Sequence, residues 1–461
     1  MMKSWFLALG RLELVMLIAC CVIVPGELIF KAICHTTGFG DFNVHRDFGH
    51  RFLLGQPLYA GDRCFNYMPV SAMFYAPLAM FPQFIASLLR GLAAMVSLFL
   101  ALRWLGIMTQ PGARPHSWRG ITFGGLAVLL SIQYVFRDLD DGGPHLFYLG
   151  IIVGSFYFVR LGRLVLGAAG FGLVIALKMS PGLLLPFFVW KRQWRLAGYS
   201  TIATMSWIVL PALWMGPTSW WTHQSQWNRL AFQVATERFD SLRAVNEIRV
   251  QNQSLKPAVA RFLVSYPPGH PLKVDHPADI AFLDLSPSTA GKLGTFAVLG
   301  LLGSVAWWSR RPYSGPEDPA RVVEMAAVLI LIPLLSPVTW LQHLVFVIPA
   351  IFLIVAENRA FRPLGRPALA VLWVYAILSI FLSRGFVGKP NSLVLFSYHI
   401  HTLAMLLLLG LVMWKRPTAL PAPIDDPGYS GSGRGTAFER GKPHQIRRGK
   451  RIRNRSESSS K

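Results

Sequence analysis

Charge is what this sequence has least of. Lys, Arg, Asp and Glu make up 15% of its 461 residues, against about 25% in an average soluble domain. That is too little to coat a soluble multi-domain enzyme. A hydrophobic share of 53% also excludes a wholly disordered chain and a collagen-like fibre. Cysteine is nearly absent. Four residues without metal-type spacing argue against a zinc or iron–sulfur centre and against a disulfide-rich mini-protein. The short motifs of soluble chemistry are missing as well: there is no Walker loop, dinucleotide fingerprint or zinc signature, and no Gly-x-Ser-x-Gly elbow. Acidic residues number 22 against 45 basic ones, a net charge of +23. In so apolar a chain that excess is first a topology signal.

What the sequence has in plenty is long apolar runs. A helical span needs about twenty apolar residues, fewer where the helix is broken. Candidate spans fall at about 12–33, 84–105, 120–136, 145–159, 164–177, 181–190, 196–215, 290–308, 322–335, 340–356, 367–382 and 393–414. The fold class expected is therefore an all-α polytopic membrane protein of about 12 transmembrane or broken helices. The 32 prolines and 40 glycines fit broken membrane helices. Pro181–Trp190 is too short to cross alone. Met68–Phe81 reads as a re-entrant or interfacial helix. The first apolar run lacks a small-residue cleavage site and is expected to stay as a span.

Basic residues punctuate every second loop, from Lys3 and Arg11, through Arg160 and Arg163, to Lys415 and Arg416. With those loops inside, both termini are cytoplasmic and the chain is a multi-pass protein of the cell (inner) membrane. Two long loops then face outward, Cys34 to about Tyr67 and Gly216 to about Ser288. Long loops in a compact protein are usually functional, so an active site is expected on the outer face. Residues 1–416 form the membrane-embedded domain, and 417–461 read as a disordered basic cytoplasmic tail rich in Gly, Ser, Pro and Arg. Its cluster from Arg447 to Arg455 suits anionic lipid headgroups. No folded module accompanies it, so nucleic-acid binding is not expected.

Several polar residues stand out against this background. In the first outer loop Phe42, His45, Phe48 and Phe52 follow helical spacing, with Gly55 and Pro57 ending the helix; that apolar face is expected on the membrane interface. Asp41 sits at the helix start, where a carboxylate is stabilised, four residues from His45. The turn Arg137-Asp-Leu-Asp140-Asp141-Gly-Gly-Pro-His145 reads as a solvated turn with a helix cap, with a cation site as the alternative. Lys178, at the break between two apolar segments, is expected to face a cavity or an anionic partner. The second outer loop carries Asn252, Gln253, Ser254, Arg261 and the aromatics Trp220, Trp221, Trp227 and Tyr266. These suit either sugar rings or a membrane interface, and Asn252-Gln-Ser254 matches a glycosylation acceptor. Ser336-Pro337 then breaks a helix ahead of Trp340, Gln342 and His343. Cys34 and Cys64 both flank the first loop, where a disulfide is conceivable.

Taken in order, these pieces resemble glycosyltransferase family 87, of the GT-C superfamily. The matching blocks are Asp41-Phe; Gly55-Gln-Pro-Leu-Tyr59; Tyr67-Met-Pro69 with Ala76-Pro-Leu78; Lys178-Met-Ser-Pro181; Asn252-Gln-Ser-Leu255 with Arg261; and Ser336-Pro-Val-Thr-Trp340-Leu-Gln-His343. Two departures are visible: Gln342 replaces the first His of the late block, and Gly142-Gly-Pro-His145 replaces a Gly-Gln-x-Asn block. The resemblance implies a GT-C-type bundle and a membrane-embedded hexosyltransferase using a polyprenyl-phosphate sugar, mannose in that family. It also implies a catalytic Asp in the first outer loop, the place Asp41 occupies.

Both readings meet in one mechanism. Asp41 takes the proton of an acceptor hydroxyl as that oxygen attacks the anomeric carbon. Lys178 and Arg261 receive the departing phosphate, and His343 orients Asp41 or the acceptor. His45, Tyr59, Gln253, Ser254, Trp340 and Gln342 are the expected substrate contacts. The partners expected are a polyprenyl-phosphate sugar, membrane lipids and a glycolipid or envelope-glycan acceptor, with no cofactor and no metal required. A polytopic transporter or lipid-linked sugar flippase is the alternative.

Overall fold

The computed structural model describes residues 22, 26, 29, 30, 40–59, 67–109, 119–236, 249–266, 277–360 and 365–414. Most of the first candidate span, both Cys34 and Cys64, and the basic tail lie outside them. Among the described residues all regular structure is helical. The helices are α1 (Gly40–Leu53), α2 (Pro69–Ala79), α3 (Gln83–Thr109), α4 (Arg119–Leu130), α5 (Ile132–Asp141), α6 (His145–Arg160), α7 (Leu164–Leu177), α8 (Leu184–Trp190) and α9 (Trp194–Val209). They continue as α10 (Ala212–Met215), α11 (Pro217–Thr236), α12 (Leu255–Leu263), α13 (Pro287–Trp308), α14 (Ala320–Leu335), α15 (Ile348–Ala360), α16 (Arg366–Ala376), α17 (Arg384–Ser397) and α18 (Ile400–Trp414). Single 3-10 segments cover Ser180–Leu183 and Leu341–Val347, and a π turn covers Ile377–Phe381.

Among the described residues three helices are long and apolar enough to cross a membrane: α3, α13 and the run Trp194–Met215. Two bent pairs raise the number to 5, α5 with α6 at 117° and Arg366–Phe381 with α17 at 89°. Asp140-Asp141-Gly-Gly-Pro144, Ser180-Pro181 and Ser336-Pro337 break the apolar runs at the places where the expected segments are separated. What remains are shorter apolar helices, including α7, Ser180–Trp190, Leu341–Glu357 and α18. The long helices keep apolar side chains outward, among them Leu92 and Phe99 on α3, Ile202 and Met205 on α9, and Phe296 and Leu299 on α13. Such faces need a hydrocarbon environment. The centre is α14, buried on every side from Val322 to Leu334, as expected of a helix that is apolar all round.

The first-loop helix was expected to lay its aromatic face on the membrane. It does not. Phe42, Phe48 and Phe52 are buried in the protein, where Phe48 and Phe52 pack with Leu58, Ala72 and Ala76. A protein surface was available because α2 lies alongside α1. Gly49 permits the close approach: a Cβ there would stand 2.8 Å from the Tyr75 backbone. The Ser71 hydroxyl of α2 donates to Leu177 O at 2.9 Å, which ties α1 and α2 to the end of α7, one residue before Lys178.

A second polar centre holds the other end of α8. Lys191, in the turn after α8, is buried and pairs with Glu324 at 2.8 Å. It also donates to Ser309 O at 2.7 Å and to Arg311 O, and lies 4.1 Å from the centre of the Tyr313 ring. Removing one partner of such a pair strands a buried charge. Lys191→Met is expected to destabilise the fold by about 3–5 kcal/mol, read as a lowered unfolding midpoint in detergent. Lys191→Met with Glu324→Leu is expected to recover most of the loss. A single variant as stable as wild type refutes the pairing.

Candidate active site

Three chain breaks converge on one cluster. Asp41 lies in the first turn of α1. Lys178 ends α7 in an extended conformation, φ −150°, ψ 122°, because Ser180-Pro181 stops the helix. His343 sits in the 3-10 segment that follows the Ser336-Pro337 break. The Gln342 amide donates to Asp41 Oδ2 at 3.1 Å. The next residue, His343, places its Nε2 2.9 Å from Lys178 Nζ, while its Nδ1 accepts the Trp340 N–H at 3.2 Å. The expected base, the expected cation and the late imidazole therefore share one site. Burial, the largest influence, raises the Asp41 carboxyl above the usual carboxylate range; the Gln342 hydrogen bond and the positive charges of Lys178 and Arg137 pull the other way.

Two residues join the cluster that sequence reasoning left out of the site. His145 Nε2 lies 2.7 Å from Lys178 Nζ. Asp138 is buried and 2.8 Å from His145 Nδ1. Behind it the buried Arg90 donates to Leu139 O at 2.9 Å and to Gly143 O at 3.4 Å. Each had a signal. Asp138 lies on the same face of α5 as Tyr134, Val135 and Leu139, all buried, so it is an acid on an apolar stripe. Arg90 is a buried charge within the apolar α3. The neighbouring acids behave differently: Asp140 and Asp141 pair with Arg137 at 3.6 and 2.8 Å. Among the described residues no group of three or more His, Cys, Asp and Glu is placed to hold a metal ion.

The remaining expected contacts divide. His45 is stacked on Tyr75 at 4.5 Å and lies 4.7 Å from Tyr67. Burial, helped by the charges of Lys178 and Arg90, lowers it to about 3, so it is neutral at physiological pH. The Tyr59 hydroxyl donates to Tyr67 O at 2.7 Å. Gln253 and Ser254 are buried and brace the scaffold. Gln253 Nε2 donates to Val250 O and Phe396 O at 3.0 and 3.1 Å. The Ser254 hydroxyl donates to Asn252 Oδ1 at 3.0 Å. Asn252 in turn donates to Pro337 O at 2.9 Å and accepts Thr339 N–H at 2.8 Å. The large loop thus fixes the Ser336–Trp340 segment that carries Gln342 and His343. With its amide buried in these bonds, Asn252 is not an accessible glycosylation acceptor. Arg261 donates to Ala278 O at 2.9 Å and has no hydrogen bond to the cluster among the described residues.

Half-buried carboxylate, imidazoles and lysine in one site suit proton removal beside a departing anion. Residues 65–337 match glycosyltransferase family 87. The chain belongs to that family and is a glycosyltransferase. Lys178, His145 and Asp138 lie inside the matched range; Asp41 precedes it and His343 follows it. Over 356 residues, 70% of each chain, the sequence is 23% identical to the polyprenol-phosphate-mannose-dependent alpha-(1-2)-phosphatidylinositol mannoside mannosyltransferase of Mycolicibacterium smegmatis.

Proposed function

We propose that the protein moves a hexose, mannose, from a polyprenyl-phosphate sugar to a hydroxyl of an extracytoplasmic glycolipid or envelope glycan, with inversion at the anomeric carbon. The observation that carries this reading is the link from Asp41 through Gln342 and His343 to Lys178, a base and a cation in one site. Asp41 takes the hydroxyl proton while the oxygen forms its bond to the anomeric carbon and the carbon–oxygen bond to phosphate breaks. The polyprenyl phosphate leaves as an anion and is met by Lys178, with Arg261 as a second cation where a long headgroup reaches the outer loop. An anionic leaving group needs positive charge more than a strong acid. Gln342 orients the base through its hydrogen bond to Asp41, and Trp340 and His343 contact the sugar or the acceptor.

The lysine at a helix break and the long loop that braces the late segment fit a donor whose lipid stays in the bilayer while its sugar reaches outward. The test is transfer in liposomes from labelled polyprenyl-phosphate mannose to a mannoside glycolipid, without nucleotide, with the product linkage read by NMR. The expected result is transfer with inverted configuration. Retention of configuration, or dependence on a nucleotide sugar, overturns the proposal.

A further inference from the structure

We propose that Asp138 and His145 are a positioning pair for Lys178: the carboxylate fixes the imidazole, and the imidazole fixes the direction in which the lysine amine meets the donor phosphate. The inference rests on the phosphate role given to Lys178 above. It follows from where the protons must lie. Asp138 Oδ1 accepts the His145 backbone N–H at 3.2 Å, and Oδ2 accepts the Leu146 N–H at 3.1 Å. A carboxylate engaged in this way accepts from His145 Nδ1 at 2.8 Å as well. The ring hydrogen is therefore on Nδ1, and Nε2 is a bare acceptor. Lys178 donates to it at 2.7 Å.

The pair is itself held from behind. Gly142 takes a positive φ of 72° to end α5. At Gly143 a Cβ would stand 2.5 Å from Asp138 Oδ1 and 2.8 Å from His145 Nδ1, so the turn closes directly over the pair. Arg90 grips the two carbonyls that bracket this turn. Both His145 and Asp138 are buried, whereas Lys178 is only half-buried. The lysine is thus the member of the chain positioned to meet substrate, and its partners stand behind it. His343 approaches Lys178 from the late segment, its Nε2 2.9 Å from the amine, so the lysine stands between two rings supplied by different parts of the chain, with His145 as its acceptor. An orienting partner of this kind is worth roughly 10- to 100-fold in sites where it has been removed.

Asp138 also caps α6, and a cap alone would explain its burial. The variants are chosen to separate the two roles. His145→Ala leaves the carboxylate and its two backbone bonds in place. His145→Gln keeps an acceptor close to the Nε2 position. The measurements are donor-dependent kcat and KM in liposomes and the unfolding midpoint, each made in the wild-type and the Lys178→Ala background. Expected is a roughly 10- to 100-fold loss of donor kcat/KM for His145→Ala, carried mainly by kcat, with a midpoint lowered by the same amount in both backgrounds. Most activity should return in His145→Gln, and His145→Ala should have no further effect once Lys178 is gone. Should His145→Ala fail to fold, Asp138→Asn takes its place: its amide oxygen still caps α6, but its N–H₂ pushes the ring hydrogen to Nε2, against Lys178. Wild-type kinetics in that variant overturn the pair. So does an equal loss from His145→Ala with and without Lys178. If Lys178→Ala impairs transfer while both replacements are silent, the pair fails and the phosphate role stands. If Lys178→Ala is itself silent, the phosphate role fails, and this inference with it.

Discussion

Asp41→Asn is expected to cut sugar transfer by about 10²- to 10⁴-fold, the usual contribution of a positioned general base. The amide keeps the shape and can still accept the Gln342 hydrogen bond found at 3.1 Å, so donor binding and the unfolding midpoint should stay near wild type. The loss should therefore fall on kcat. A pH profile supplies an independent check. The base works as the carboxylate, so the rate should rise with pH as Asp41 ionises. Because burial raises this carboxyl, the acid limb should lie above the ordinary carboxylate value of about 4. Gln342→Ala removes a hydrogen bond that favours the charged form and should move the limb further up. Near-normal turnover in Asp41→Asn, or a rate that is flat through the weakly acidic range, would exclude Asp41 as the base.

Much of this site was legible because its residues break rules. A lysine between apolar helices costs free energy unless something offsets it, and an aspartate opening a loop helix and a histidine after Ser-Pro stand where the chain is broken. Those anomalies need no tertiary knowledge to notice. What stayed hidden was partnership. Asp138 stands in a run of three acids, and composition points to the half-buried Asp140 as readily as to the member whose period matches Tyr134 and Leu139. His145 follows Pro144 and reads as the end of a turn; only the bend of 117° between α5 and α6 turns it toward Lys178. Gln253 and Ser254 illustrate the opposite error. Amide and hydroxyl groups in an outer loop look available to sugar, yet the fold engages them with backbone carbonyls and Asn252.

Lys178→Ala is the second large effect. In the proposed reaction its ammonium meets the charge that develops on phosphate as the bond to the sugar breaks, so donor kcat/KM is expected to fall by about 10²- to 10³-fold. Alanine also leaves two buried imidazoles, His145 and His343, without the amine that now joins them. Lys178→Arg should rescue poorly: a guanidinium is planar and wider than the compact ammonium that fits between the two rings. The lysine and Asp41 should be electrostatically coupled. The positive charge of Lys178 lowers the Asp41 carboxyl, so removing it must raise that carboxyl further. A base with a higher value needs a higher pH to ionise. The acid limb of Lys178→Ala should therefore shift to higher pH, in addition to the overall loss. Two outcomes break this picture in different places. Unchanged donor kinetics would remove Lys178 from the leaving phosphate, whatever Asp41 does. A large rate loss with an unmoved acid limb would keep the lysine at the phosphate and show that its charge does not reach the carboxylate across Gln342 and His343.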